Sequence, residues 1–192
     1  MDISKTCAII GRTPSNFPWD YADKSAFLNI KYLEDIMFIV ELYADHLGVT
    51  DFVCCPANGV DEDFANAVLH KKSENKKIRL HLLYPIQDGY NGDTFKHADS
   101  FILDNPPQTI KETNEKLISL AKKVVITKAK GGHYPSNSAL SIAKQNNVEV
   151  ELLTIKSYKS AKEYADNYLI DNIPYNLRMK NRLFIEDLKK NR

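Results

Sequence analysis

The sequence predicts an α/β protein: a mostly parallel sheet with helices on both faces, plus a C-terminal helical extension. Two observations carry this. Strand-like and helix-like patterns alternate along residues 1–155, and such alternation places parallel strands under crossover helices. Several of the strands, including the run around Val125, are continuously apolar rather than alternating, which is the pattern of strands buried on both faces.

Thr6–Ile10 is a short apolar run ended by Gly11 and reads as the first strand. Pro14 and Pro18 make the following residues a loop, one rich in aromatic side chains that are expected to pack. Residues 25–47 have helical periodicity, with Leu33, Ile36, Met37, Val40, Tyr43, Ala44 and Leu47 on one face. Gly48 is the expected stop. A second strand spans residues 51–55. A second helix begins near Val60, and its first turn holds Asp61, Glu62 and Asp63, which suit the positive end of a helix dipole. Val60, Phe64, Ala67 and Val68 form its core face.

A third strand is expected at 78–84, a loop at 87–94 and a short fourth strand at 100–103. Thr109 and Glu112 have capping-box spacing. They open a helix whose expected apolar face is Ile110, Leu117, Ile118 and Ala121. Asn114 shares that inward face, and an inward amide needs a partner. A fifth strand at 123–127, a loop at 130–137, a helix with Ala139, Ile142 and Ala143 inward, and a sixth strand at 148–155 complete the alternation. This is a Rossmann-like domain over residues 1–155.

Residues 156–192 form the extension. Ala161, Tyr164, Ala165, Tyr168 and Leu169 make one helical stripe, Leu177, Phe184 and Leu188 a second, with Pro174 between them. The segment has nine basic and five acidic residues. Its helices are expected to cover the domain or to join two subunits as a homodimer.

Composition narrows the function. Lys and Arg number 26 against 25 Asp and Glu, so the chain lacks the charge of a bulk nucleic-acid binder. Cys7, Cys54 and Cys55 are odd in number and lie in apolar runs, which reads as buried thiols in a reducing cytoplasm rather than disulfides. Adjacent strand residues face opposite ways, so Cys54 and Cys55 do not converge on one metal. No apolar stretch suits a signal peptide or a membrane span. His46, His70, His81 and His97 have no metal-ligand spacing, and no Walker loop, nucleophile elbow or paired catalytic carboxylate appears. Neither metal nor cofactor is expected.

Ligands of open parallel sheets sit beyond the strand carboxyl ends. The candidates there are Gly11, Arg12, Thr13 and Trp19; Gly59 and Asp61; Asn114; and Gly131, Gly132, His133 and Ser136. Free N–H groups at a helix start near Ser136, approached over Gly131 and Gly132, attract phosphate. Arg12 is placed to neutralise it, and Asp61 to accept from sugar hydroxyls. Each has a plain alternative: a solvated arginine, a helix-start carboxylate, an ordinary turn. For Asn114 the plain partner is a neighbouring loop.

Three stretches carry a family likeness. They are Thr6-Cys7-Ala8-Ile9-Ile10-Gly11-Arg12-Thr13-Pro14 with Phe17-Pro18-Trp19-Asp20-Tyr21; Ala57-Asn58-Gly59-Val60-Asp61 with Ala65; and Gly131-Gly132 before a helix. Over about residues 6–155 the chain resembles the YpsA-like proteins of the SLOG superfamily, the Rossmann-type group that includes the LOG phosphoribohydrolases and the DprA/Smf domain. The resemblance implies a protein that binds or senses a nucleotide or nucleotide derivative. Two alternatives stand beside it. One is an N-glycosidic hydrolase of the LOG type, whose Pro-Gly-Gly-x-Gly-Thr signature and following glutamates are absent here. The other is a DprA-like nucleic-acid module, supported only by the basic tail.

Overall fold

The structure is a computed structural model that describes residues 1–11, 17, 22, 27–57, 59–84, 93–103, 107, 109–129 and 136–155. The side chains of residues 27–31, 93–94, 128–129, 136–137 and 154–155 are outside the description. All described residues belong to the first of two units, Met1–Lys156 and Ser157–Arg192; the expected tail helices lie outside them.

Six strands form one sheet: β1 Thr6–Ile10, β2 Asp51–Cys54, β3 Arg79–Leu83, β4 Ser100–Ile102, β5 Lys123–Ala129 and β6 Glu149–Ile155. Their order is β4-β3-β2-β1-β5-β6. Every pairing is parallel, with Ala8 opposite Val53 on one side and Val124 on the other. The helices are α1 Phe27–Glu41, α2 Val60–Glu74, α3 Ile110–Ser119 and α4 Ser136–Gln145.

Alternation along the strands divides the core into two layers. Cys7, Ile9, Phe52, Cys54, Leu80, Leu82 and Val125 face α1 and α2, meeting Ile36, Val40, Phe64 and Val68. Ala8, Ile10, Val53, Cys55, Val124 and Ile126 face α3 and α4, meeting Leu117, Ile118, Ala139 and Ala143. Cys54 and Cys55 therefore fall in opposite layers, and Cys7, Cys54 and Cys55 are all free and buried.

Local chemistry explains most element ends. The Thr109 hydroxyl accepts the Glu112 N–H at 3.2 Å and caps α3. Gly48, at φ 68°, supplies the left-handed turn before β2. Between β1 and α1, the Phe17 ring meets Tyr32 of α1 edge-on at 5.0 Å.

Three expectations need correction. Residues 42–46 are a π-helical turn, closed by the Leu47 N–H on the Leu42 carbonyl at 3.2 Å. The wider turn breaks the periodicity, so Leu47 is 45% exposed; ahead of it, Met37 is exposed and Tyr32 and Ile39 complete the buried face. Ile110, the first residue of α3, is 61% exposed, because the inward stripe begins one turn later. Part of the expected 87–94 loop is a short 3-10 helix, Asp93–His97, that buries Phe95 in the α1–α2 layer.

Candidate functional site

In a parallel sheet each crossover helix runs back against its strand, so the helix starts gather on the edge where strands end. The switch point of this sheet lies between β1 and β5, where the order reverses. β5 leaves β1 at Ile126 but stays paired to β6 through Ala129, so it projects beyond the end of β1. The Thr127 hydroxyl donates back to the Ile10 carbonyl at 3.5 Å.

Gly11 ends β1 against the first turn of α2. A Cβ on Gly11 would lie 2.2 Å from the Val60 Cβ and 3.2 Å from Asp61 Oδ2. This close approach requires glycine. Gly59 starts α2 at φ 97° and ψ −132°, a backbone combination that side chains disfavour. Asp61 is 8% exposed. Its Oδ1 accepts the Cys55 N–H at 3.2 Å and so ties the end of β2 to α2. Burial pushes its carboxyl up to about 7, against the hydrogen bonds from the N–H groups of Cys55 and of Asp61 itself.

Across the sheet, Asn114 lies one helical turn before Leu117 and is 4% exposed. Its Nδ2 has no hydrogen-bond partner among the described residues. α3 packs on β1, which puts this amide, midway along the helix, in the α3–α4 layer.

The structure thus brings Gly11, Gly59 and Asp61 together and buries Asn114 in α3, over the other face of the sheet. Ser136 is the first residue of α4. Arg12, Thr13, Trp19, Gly131, Gly132 and His133 lie outside the described residues. Among the described residues no group of His, Cys, Asp and Glu is arranged to hold a metal, and no helix is long and apolar enough to cross a membrane.

Sequence reasoning missed two participants at this edge. The Cys55 N–H is a donor that any residue would supply, so its type carried no signal. Thr127 was legible only as a polar interruption at the end of an apolar strand.

No family profile matches the chain, and no curated protein matches it. Among solved structures it is similar to DNA processing protein A (DprA) from Streptococcus pneumoniae, at 10% identity and a TM-score of 0.39. The alignment covers 84% of this chain and 61% of that one, so the chain spans less than two thirds of its length.

Proposed function

We propose that the carboxyl edge binds a nucleotide or nucleotide derivative and that the protein acts as a binding or sensing module. The observation that carries the reading is Asn114: a buried amide with no partner for its Nδ2 among the described residues, midway along the helix that packs on β1. An unpaired buried amide costs about 1–3 kcal/mol, and a ligand acceptor removes that cost. In this reading Asp61 Oδ2 is the acceptor for sugar hydroxyls. The loop containing Gly131, Gly132 and His133, with the α4 start at Ser136, takes the phosphate, helped by Arg12 and Thr13. Trp19 walls the base. The strand order and the three sequence stretches support a place in the SLOG superfamily, and the stretches alone support the YpsA-like branch.

The test is calorimetry against nucleoside monophosphates, dinucleotides and ADP-ribose derivatives, followed by Asn114→Leu on any binder. Binding weakened at least tenfold supports the site. If Asn114→Leu folds and binds equally well, or if no compound binds, the reading fails.

A second reading, N-glycosidic hydrolysis, would use Asp61, buried at the start of α2 against Gly11. A carboxyl held near 7, as Asp61 is, suits a general acid or base at neutral pH. Release of free base from a bound nucleotide, lost in Asp61→Asn while binding persists, would favour it over simple binding.

A further inference from the structure

Three polar side chains form a connected chain across the face of β2, β3 and β4, away from the carboxyl-edge site. Asp51, the first residue of β2, is 0% exposed, and His81, mid-strand in β3, is 4% exposed. Asp51 Oδ1 lies 2.7 Å from His81 Nε2, and His81 Nδ1 lies 2.7 Å from Ser100 Oγ. Parallel register sets this up by placing His81 beside Ser100 and Arg79 beside Asp51. The second Asp51 oxygen accepts from Thr50 Oγ1 and Arg79 Nη2, each at 2.8 Å. Burial acts to raise the Asp51 carboxyl, but the hydrogen bonds from Thr50, His81 and Arg79 hold it below the ordinary value. It therefore remains a carboxylate at neutral pH.

An acceptor-only carboxylate assigns the His81 proton to Nε2. Nδ1 is then a lone pair directed at the Ser100 hydroxyl. A hydroxyl, a base in contact with it and a buried carboxylate fixing that base are the parts of an activated nucleophile. The ring is turned end for end relative to the usual serine triad, with serine on Nδ1 and carboxylate on Nε2. The proton path is the same. Ser100 is half-buried and opens β4, the outermost strand.

We propose that Ser100 is a nucleophile primed by His81 and positioned Asp51 for acyl transfer from activated carboxylic esters. Ser100 Oγ attacks the ester carbonyl carbon while its proton passes to His81 Nδ1. The carbon–oxygen bond to the leaving group then breaks, and that oxygen takes the proton from Nδ1. Water, deprotonated by the same nitrogen, attacks the acyl carbon; the bond to Ser100 Oγ breaks, Oγ takes the proton back from Nδ1, and the carboxylic acid is released.

The test uses the full chain and p-nitrophenyl acetate. The expected result is a burst of one nitrophenolate per chain, with mass spectrometry placing the acetyl group on Ser100. Ser100→Ala removes the burst. His81→Asn slows acylation by on the order of 100-fold or more. Asp51→Asn slows it while leaving the burst amplitude at one per folded chain, which a purely structural role would not do. The proposal is overturned by the absence of a burst, by a burst undiminished in Ser100→Ala, or by acetyl groups only on lysines or the N-terminus. The mapping on the unaltered protein decides the matter even if a variant fails to fold.

Discussion

Gly11 and Val60 are in such close contact that a methyl group on the glycine would sit 2.2 Å from the valine Cβ. That atom is fixed to the α2 backbone and cannot swing aside. Gly11→Ala is expected to destabilise by about 1–3 kcal/mol or more. Val60→Ala, which keeps its Cβ, should not rescue it, whereas Val60→Gly should restore part of the loss. Urea unfolding of the single and double variants checks this, and rescue by Val60→Ala would contradict the geometry.

Two buried aspartates, Asp61 and Asp51, bias stability in opposite directions with pH. The Asp61 carboxyl is raised from 3.8 to about 7. Between those values the folded chain holds a proton that the unfolded chain has released. Stability therefore falls as pH rises through that window and then levels off, by roughly 1.4 kcal/mol per unit. Relative to the wild type, Asp61→Asn should gain as pH rises across the window. Asp51 is held below its ordinary value, so its contribution is present above the usual carboxylate range and is lost on acidification through its folded pKa. The wild-type advantage over Asp51→Asn should shrink there. Denaturation at a series of pH values separates the two, and parallel curves would reject both assignments.

Asn114→Leu should leave the protein equally stable or more so, by up to about 1–3 kcal/mol, because it removes an unpaired buried amide and keeps the volume. The same change should weaken any nucleotide ligand at least tenfold. A large loss of stability without ligand would mean that Nδ2 has a protein partner.

The glycines at helix boundaries should differ in their tolerance. Gly48 has a left-handed φ of 68° and nothing within 4 Å of its Cβ direction, so Gly48→Asn should be nearly neutral and Gly48→Ala should cost about 1 kcal/mol. Gly59, at φ 97° and ψ −132°, should respond more severely to both, by about 1–3 kcal/mol. Equal melting-temperature shifts at the two positions would contradict the backbone geometry.

Much of the fold could be read from local pattern, because its determinants are local. Thr6–Ile10 is apolar and ends in glycine, and it is β1 to the residue. Asn114 was legible as inward-facing because it keeps step with Leu117. Leu47 was misplaced because a single π turn, which periodicity cannot foresee, rotates the end of α1. The Asp51–His81–Ser100 chain could not be read at all. Those residues meet only through strand register, and each looks ordinary in its own segment. At the carboxyl edge, the glycines and Asp61 were marked by their strand-to-helix turns, but the Asp61 partner is a backbone group without a sequence signature.

The central strand has a consequence for biosynthesis. β1 completes its pairing only with β5, and the Thr127 bond to Ile10 spans 117 residues. Strands β1 to β4 with α1 and α2 emerge from the ribosome well before β5, while one side of β1 still has exposed backbone and the α3–α4 layer is missing. Folding that waits on so distant a contact is slow, and the open edge of β1 invites pairing with another nascent chain. Recovery of soluble protein should therefore depend more on translation rate and chaperone supply than the stability of the finished sheet would suggest.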